Sequence, residues 1–224
     1  MKKIVSFIKN ERQFILFIVI EVVLSLAFYH NLPGKIAVHW DASGRADGYL
    51  SKIYGAFFVP AIHLVIYWVF YLFPRIDPQR QNYLKFISNY KITRLLLNTL
   101  FLTIQILLLA SAQGYSFNIS KIVGIVISII VIVFGNIMGK LRFNYFLGIR
   151  SPWTLSNEKV WRKTHRMAGP LWLIGGIVIL IFTLIGGHLF FYGVLVDAIL
   201  LALIPTIYSY FIYRYMDKGE KEKQ

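Results

Sequence analysis

The chain has 224 residues, of which 57% are hydrophobic and 15% are charged, and its formal net charge is +14. A soluble domain has about 45–50% apolar and about 25% charged residues, so this composition excludes an ordinary soluble globular protein. The absence of cysteine excludes disulfide bonds, thiolate metal sites and cysteine nucleophiles. The apolar residues are concentrated in runs of about 20, the length that crosses a bilayer core of about 30 Å. The sequence therefore predicts an all-α, polytopic membrane protein.

Six apolar runs are expected to form the membrane-spanning helices. The first follows a basic segment, as in a secretory signal, but it continues without a small-residue cleavage site and is interpreted as a retained helix. The fifth is rich in glycine, and small residues allow helices to approach closely. The six runs cover, in chain order, residues 14–29, 53–73, 92–113, 119–138, 168–185 and 190–213.

The connections between the early spans are polar. Residues 30–52 hold one proline and three glycines, with aspartates and serines that favour turns, so a structured polar loop is expected there. Residues 74–85 are expected to form a second loop, which continues to residue 91 as an interfacial helix.

The longest polar interruption of the second half covers residues 140–166 and holds seven of the 24 Lys and Arg residues. The stretch from Arg150 to Thr154 disfavours helix, because proline restricts the residue before it. A helix is expected from Ser156, in which cations recur at i, i+3, i+4 and i+7. This basic stripe consists of Lys159, Arg162, Lys163 and Arg166. The opposite face of the helix consists of Val160, Trp161, Thr164 and His165. The pattern predicts a helix that lies in the membrane interface, with tryptophan at headgroup level.

The distribution of cations predicts the orientation. With six spans, 20 Lys and Arg residues fall on one side and four on the other. Because cytoplasmic loops carry an excess of Lys and Arg, both termini and the 139–167 segment are expected in the cytoplasm. The loop that carries His39 and Trp40 is then expected outside the cell.

Two stretches resemble known families. Residues 32–52 are similar to an N-terminal module of unknown function, and residues 135–176 resemble the signature of the SdpI immunity family, with Ser151 where threonine is common. The first resemblance rests on Pro33, Ile36, His39, Trp40, Gly44, Asp47 and Lys52. The second rests on Gly135, Asn136, Asn144, Gly148, Ile149, Arg150, Pro152, Trp153, Thr154, Leu155, Val160, Trp161, Thr164 and His165. The chain is accordingly divided into an N-terminal helix pair with its outer loop and first cytoplasmic connection (1–91) and a four-helix SdpI-like region (92–224).

This resemblance implies a multi-pass protein of the bacterial cell membrane. Members of the family protect producing cells against a secreted, sporulation-delaying, membrane-active toxin peptide, and some also hold a cytosolic repressor at the membrane. The implied partners are membrane lipid, a toxin peptide on the extracellular side and, in the second role, a cytosolic repressor. Neither a cofactor nor direct nucleic-acid binding is expected.

Three ionisable side chains fall well inside the predicted spans: Glu21, His63 and Asp197. Intramembrane ionisable groups are functional candidates, and a paired structural network is the equal alternative. A small proton-coupled transporter that uses Glu21 and Asp197 is the second functional hypothesis. A membrane-embedded hydrolase is the third, but no nucleophile motif, phosphate loop or HExxH motif supports it, so the protein is not expected to be an enzyme.

The outer loop allows two interpretations. His39, Asp41 and Asp47, joined by His30 and His63, include residue types that bind zinc. Their spacing matches no known ligand motif, so the favoured interpretation is a structured loop with His39 and Trp40 packed inward.

The cytoplasmic segment is predicted to have a specific role. Arg150, Trp153, Trp161, Arg162 and His165 are candidates for binding a cytosolic partner or lipid headgroups, although tryptophan and arginine also serve as simple interfacial anchors. The other candidate positions in this segment are Asn136, Asn144, Pro152 and Thr154.

Overall fold

The computed structural model describes residues 11–41 and 44–221, except the side chains of residues 188 and 218–221. Lys2, Lys3 and Lys9, which contributed to the charge asymmetry, lie outside the described residues. The helices are α1 (Arg12–Phe28), α2 (Lys52–Ile76), α3 (Ile87–Ala112), α4 (Ile119–Met138), α5 (Pro152–Ser156), α6 (Glu158–Ile185) and α7 (Gly187–Lys221). The strands are β1 (Lys35–Trp40) and β2 (Ala46–Ser51), and short 3-10 helices cover Tyr29–Asn31 and Arg80–Lys85. Apart from the short α5, all these α-helices are long and apolar enough to cross a membrane, which confirms the prediction of an all-α protein with six spans.

The spanning helices pack as two groups. Helices α1, α2 and α3 contact one another, α4 packs along α6, and α6 packs along α7, while α3 also contacts α4. Gly135 on α4 permits a close approach to α6, because a Cβ there would lie 2.5 Å from the backbone nitrogen of Leu173 and 2.8 Å from the carbonyl oxygen of Gly169. Gly176 likewise faces Ile132, as small residues at membrane helix interfaces do.

The segment between α1 and α2, predicted as a structured polar loop, forms a β-hairpin. The turn-forming residues did not indicate these two strands. β1 and β2 pair antiparallel from Lys35 opposite Ser51, and the register becomes irregular at His39. The buried side chain of Ile36 anchors the hairpin on α2, since a Cβ at Gly55 would lie 2.7 Å from the Ile36 Cβ. The prediction that His39 packs inward is wrong, because its side chain is 71% exposed.

The prediction of a separate interfacial helix after Ser156 is also wrong. α6 runs without interruption from Glu158 to Ile185, so the basic stripe occupies the first turns of a spanning helix. Asn157 starts this helix, because its side chain accepts hydrogen bonds from the backbone N–H groups of Lys159 and Val160. Trp161 was expected at headgroup level and is instead fully buried inside the protein.

The connection after α2 is also more helical than expected. α2 continues to Ile76, and the predicted interfacial stretch up to residue 91 is partly the first turn of α3, which begins at Ile87. The proposed division of the chain at residues 91 and 92 stays a prediction, and this boundary falls inside α3.

Candidate functional site

Glu21, His63 and Asn98 form a polar chain through the centre of the first helix group. Glu21 Oε1 lies 2.8 Å from His63 Nδ1, and His63 Nε2 lies 3.0 Å from Asn98 Oδ1. All three side chains are buried, and the ring of Phe101 stacks on His63 with centroids 4.7 Å apart. The His63 ring therefore links Glu21 on α1 to Asn98 on α3 through both of its nitrogen atoms.

A second polar cluster lies one helical turn away. The Ser25 hydroxyl is 2.9 Å from the carbonyl oxygen of Glu21 and 2.8 Å from that of Ala56, and the side-chain amide of Gln105 donates to Ser25 at 2.8 Å. Within the described residues, Glu21 Oε2, Asn98 Nδ2 and Gln105 Oε1 are buried without a hydrogen-bond partner. The two clusters together join α1, α2 and α3 through polar contacts.

Asp197 does not join this network. It lies on α7 in the second helix group, where a Cβ at Gly175 of α6 would be 2.9 Å from Asp197 Oδ2. The three intramembrane candidates therefore separate into a Glu21–His63 pair and an independent carboxylate. The two carboxylates required by the transporter hypothesis lie in different parts of the bundle.

The hairpin places His39 and Asp47 together at the protein surface. Their side chains, His39 Nδ1 and Asp47 Oδ1, lie 2.5 Å apart. Within the described residues no group of three or more His, Asp or Glu side chains is arranged to hold a metal ion. Trp40, half-buried beside His39, lines a cavity of about 290 Å³ between the hairpin and α3, α4 and α7.

At the opposite end of the bundle, Asn144 organises the loop of residues 139–151, here called the central loop. Its amide nitrogen donates to the carbonyl oxygens of Arg142 and Leu147, and its oxygen accepts from the backbone N–H groups of Phe146 and Leu147. Asn144 is fully buried, so this sequence candidate holds the loop in shape from inside.

Asp77 and Tyr83 tie the central loop to the α2–α3 connection. The Tyr83 hydroxyl donates to Asp77 Oδ2 at 3.1 Å, and the same oxygen accepts from the backbone N–H of Tyr145 at 2.9 Å. Burial, followed by the negative charge of Asp77, raises the pKa of Tyr83 well above the ordinary value for tyrosine.

Trp161 and His165 hold the other side of the central loop. Trp161 Nε1 donates to the carbonyl oxygen of Leu141, and His165 Nε2 accepts from the backbone N–H of Ile149, both at 3.0 Å. Because Nε2 accepts, His165 carries its proton on Nδ1, which lies 2.9 Å from the Trp161 carbonyl oxygen. Gly148 permits this approach, since a Cβ there would be 2.4 Å from His165 Nε2.

The short helix α5 joins the central loop to α7. Ser151 and Thr154 form a capping box, and the Ser151 hydroxyl lies 2.7 Å from that of Ser209 on α7. Pro152 occupies the exposed first turn, and the ring of Trp153 meets that of Tyr210 on α7 edge-on at 5.1 Å. These candidates therefore fasten the central loop and α5 to α7.

Arg150 is the candidate that remains open to a partner. Its side chain is exposed and donates one hydrogen bond, from Nη1 to the carbonyl oxygen of Tyr145 at 3.2 Å. Asn136 is exposed on α4, away from the buried scaffold. The basic stripe is exposed on α6 as predicted, and two further cations of the central loop, Lys140 and Arg142, are also exposed.

Sequence reasoning missed several buried polar residues. Asn98 and Gln105 lie seven positions apart and hence on one face of α3, which is the signal that would have found them. Asp77 was interpreted only as part of a loop. Arg94 was counted among the cytoplasmic cations, yet its guanidinium forms two hydrogen bonds with the Glu11 carboxylate, at 3.0 and 2.5 Å.

Comparisons with known proteins match both halves of this arrangement. The model of the SdpI/YfhL protein family matches residues 140–209, which contain most of the central loop, α5, α6 and much of α7. The chain is 28% identical over 200 residues to the Immunity protein SdpI of Bacillus subtilis (strain 168), an alignment that covers 89% of this chain and 94% of the relative. The chain is thus similar to the SdpI/YfhL protein family, most clearly over residues 140–209. The model of a Domain of unknown function (DUF1648) matches residues 16–64, which contain Glu21, the hairpin and His63, and no solved structure matches the chain.

Proposed function

We propose that the protein is a membrane immunity protein, which protects the cell that makes it against a secreted membrane-active toxin peptide. The observation that carries this proposal is the similarity to the Immunity protein SdpI along 89% of the chain. Such a match includes both helix groups and the connections between them, so it is not limited to one motif. Protection would then result from binding, without chemistry on the toxin.

The proposed orientation places the hairpin outside the cell and both termini in the cytoplasm. The end of the bundle that holds the central loop carries the basic stripe and the exposed cations of that loop, whereas the cations of the hairpin end, among the described residues, are Lys35, Arg45, Lys52 and Lys121. The excess of cations on cytoplasmic loops supports this orientation. A toxin that arrives from outside would therefore meet the hairpin end first.

We also propose that the basic end contacts a cytosolic partner, such as a repressor held at the membrane. Arg150 and the stripe on α6 are exposed, and Arg150 lies on the central loop, whose backbone groups are fixed by Asn144, Trp161 and His165. A rigid surface of this kind loses little conformational freedom when a partner binds. Anionic lipid headgroups are the alternative ligand of the same cations.

The immunity proposal is tested by expressing the protein in a strain that is sensitive to a sporulation-delaying toxin peptide. We expect higher survival than with an empty vector, at toxin doses that kill the parent strain. Protein abundance in the membrane fraction is measured in the same cells. Equal survival with and without abundant protein would contradict the proposed function for that toxin.

The orientation is tested with single cysteines in this naturally cysteine-free chain. A cysteine at the exposed Tyr49 should react with an impermeant maleimide in intact cells, whereas a cysteine at the exposed Ser156 should react only after lysis. Ser43 lies outside the described residues, and the sequence-based topology makes it a second position for outside labelling. Labelling of both Tyr49 and Ser156 positions in intact cells would contradict the proposed topology.

A further inference from the structure

A groove along α6 and α7 combines an apolar lining with a single carboxylate. It has a volume of about 310 Å³ and opens on the outer surface of the two helices. Its lining consists of Val178, Phe182, Leu189, Tyr192, Gly193, Val196, Asp197 and Leu200. Asp197 lies eight residues from Leu189, where the span begins, which corresponds to a depth of about 12 Å at 1.5 Å per residue.

Asp197 is unusual because its carboxylate forms no ion pair with any described residue. Asp197 is only 8% exposed, and its Oδ2 is buried without a hydrogen-bond partner within the described part of the chain. None of the ion pairs among the described residues includes it. Gly175 leaves the space that the carboxylate occupies. Since an unpaired charge inside a bilayer is costly, either a proton or a cation must neutralise Asp197, and none of the described residues supplies that cation.

The shape of the groove favours a cation carried on an apolar body. A lipid acyl chain would cover the apolar lining and leave the carboxylate without a partner. A lysine or arginine on an apolar helix would satisfy both parts of the groove, because its chain packs on the lining while its charged end meets Asp197. The rings of Phe182 and Tyr192 line the same groove, and a cation near an aromatic ring gains a favourable interaction.

We propose that this groove binds a lysine or arginine side chain carried by an apolar segment of a membrane-inserted peptide. The proposal deepens the proposed function, since the toxin peptide would be the natural occupant. It makes Asp197 the residue that recognises the charge, while the surrounding apolar residues recognise the segment. No part of this role requires the Glu21–His63 network of the other helix group.

The test uses synthetic probes and the full-length protein in phosphatidylcholine nanodiscs. The first probe is a leucine–alanine helix with one lysine about 12 Å from its outer end, and the matched probe has glutamine at that position. Binding is measured by energy transfer between a labelled probe and labelled protein, with protein-free nanodiscs as the reference. We expect the wild-type protein to prefer the lysine probe by about tenfold, which corresponds to about 1.4 kcal/mol.

Two variants make the result specific. Asp197→Asn keeps the size of the side chain and removes its charge, so the preference for the lysine probe should disappear. Glu158→Gln removes an exposed carboxylate at the start of α6, far from the groove, and should keep the preference. Equal binding of the two probes to the wild-type protein would overturn the proposal even if Asp197→Asn fails to fold, and so would an unchanged preference in folded Asp197→Asn.

Infrared spectroscopy distinguishes a ligand from a proton. If a proton alone neutralises Asp197, a protonated-carboxyl band will be absent from Asp197→Asn and will remain in the wild-type protein saturated with the lysine probe. That result would overturn the proposal, whereas loss of the band on probe binding supports it. Survival of toxin-treated cells is measured separately: full protection by Asp197→Asn would refute the groove as the toxin site and leave the immunity function intact. A lysine preference without any protection would refute the immunity function alone.

Discussion

The carboxylate of Glu21 on α1 lies 2.8 Å from the ring nitrogen Nδ1 of His63 on α2, inside the bundle. The two residues are 0% and 1% exposed, so water does not screen their interaction. Helices in a bilayer gain little from burying apolar surface against each other, because lipid chains are equally apolar. The pair, extended to Asn98 on α3, is therefore a main source of specificity in the packing of the first helix group.

The first prediction is that Glu21 and His63 depend on each other energetically. Replacing either one alone with leucine should lower the free energy of unfolding by about 3–5 kcal/mol, because the remaining partner is left buried without its counterpart. The double variant should lose much less than the sum of the two single changes. Unfolding in mild detergent, followed by circular dichroism, measures all three variants. Additive losses would show that the two side chains act independently.

The number of spanning helices and the bounds of α4 could be predicted because their cause is local. α4 was predicted at residues 119–138 and occupies Ile119–Met138. Its start follows Asn118, whose side chain accepts a hydrogen bond from the backbone N–H of Lys121, and its end precedes Gly139. The length of an apolar run and its capping residues are properties of consecutive residues, so such helix bounds can be predicted without knowledge of tertiary contacts.

The arrangement of the site could not be predicted, because it depends on how separate elements meet. The basic stripe on α6 suggested an interfacial helix, since the apolar opposite face could equally cover lipid or protein. In the structure Trp161 and His165 contact the central loop. Only tertiary contacts decide whether this face meets lipid or protein. The same reason explains why Glu21 could be placed inside the membrane from sequence, whereas its pairing with His63 and separation from Asp197 could not.

The second prediction concerns Gly148, whose φ of +118° lies where side chains are strained. Gly148→Ala should lower the free energy of unfolding by about 1–3 kcal/mol through backbone strain alone. The clash of the new Cβ with His165 Nε2 should lower it further. The hydrogen bond between Ile149 and His165 should weaken as a result. Gly34→Ala is the matched control, since nothing lies within 4 Å of its Cβ position. Thermal unfolding of both variants decides the point, and equal midpoints would contradict the described packing of the central loop.

The third prediction concerns Tyr83 and alkaline pH. Its pKa is raised in the folded protein, so the folded state keeps this proton at a pH where the unfolded chain releases it. The contribution of Tyr83 to stability is therefore complete below a pH of about 10, the ordinary pKa of tyrosine, and declines above it. Tyr83→Phe should be less stable than wild type at pH 8, because Asp77 loses a hydrogen bond worth about 1.5–3 kcal/mol. The difference should shrink as the pH rises above 10, and a constant difference across this range would contradict the assignment.

The last prediction separates the scaffold of the central loop from its exposed surface. Asn144 and His165 fix the backbone of this loop from inside, so its shape does not depend on Arg150, which donates only one hydrogen bond, to the carbonyl oxygen of Tyr145. Arg150→Lys should therefore change stability by no more than about 0.5 kcal/mol and leave membrane abundance normal. Toxin protection should nevertheless be lost, because lysine cannot reproduce the planar fork with which arginine binds a carboxylate or phosphate.

Lys159→Ala is the matched change on the exposed stripe, and it should retain protection because one distributed surface charge contributes only about 1 kcal/mol of attraction to anionic headgroups. Survival under toxin and protein abundance are measured for both variants in the same strain. Wild-type survival with Arg150→Lys would show that the central loop serves as internal scaffold and that Arg150 recognises no partner through its fork. Loss of protection in both variants at normal abundance would instead indicate that the total positive charge of this surface matters, as expected for contact with anionic lipid.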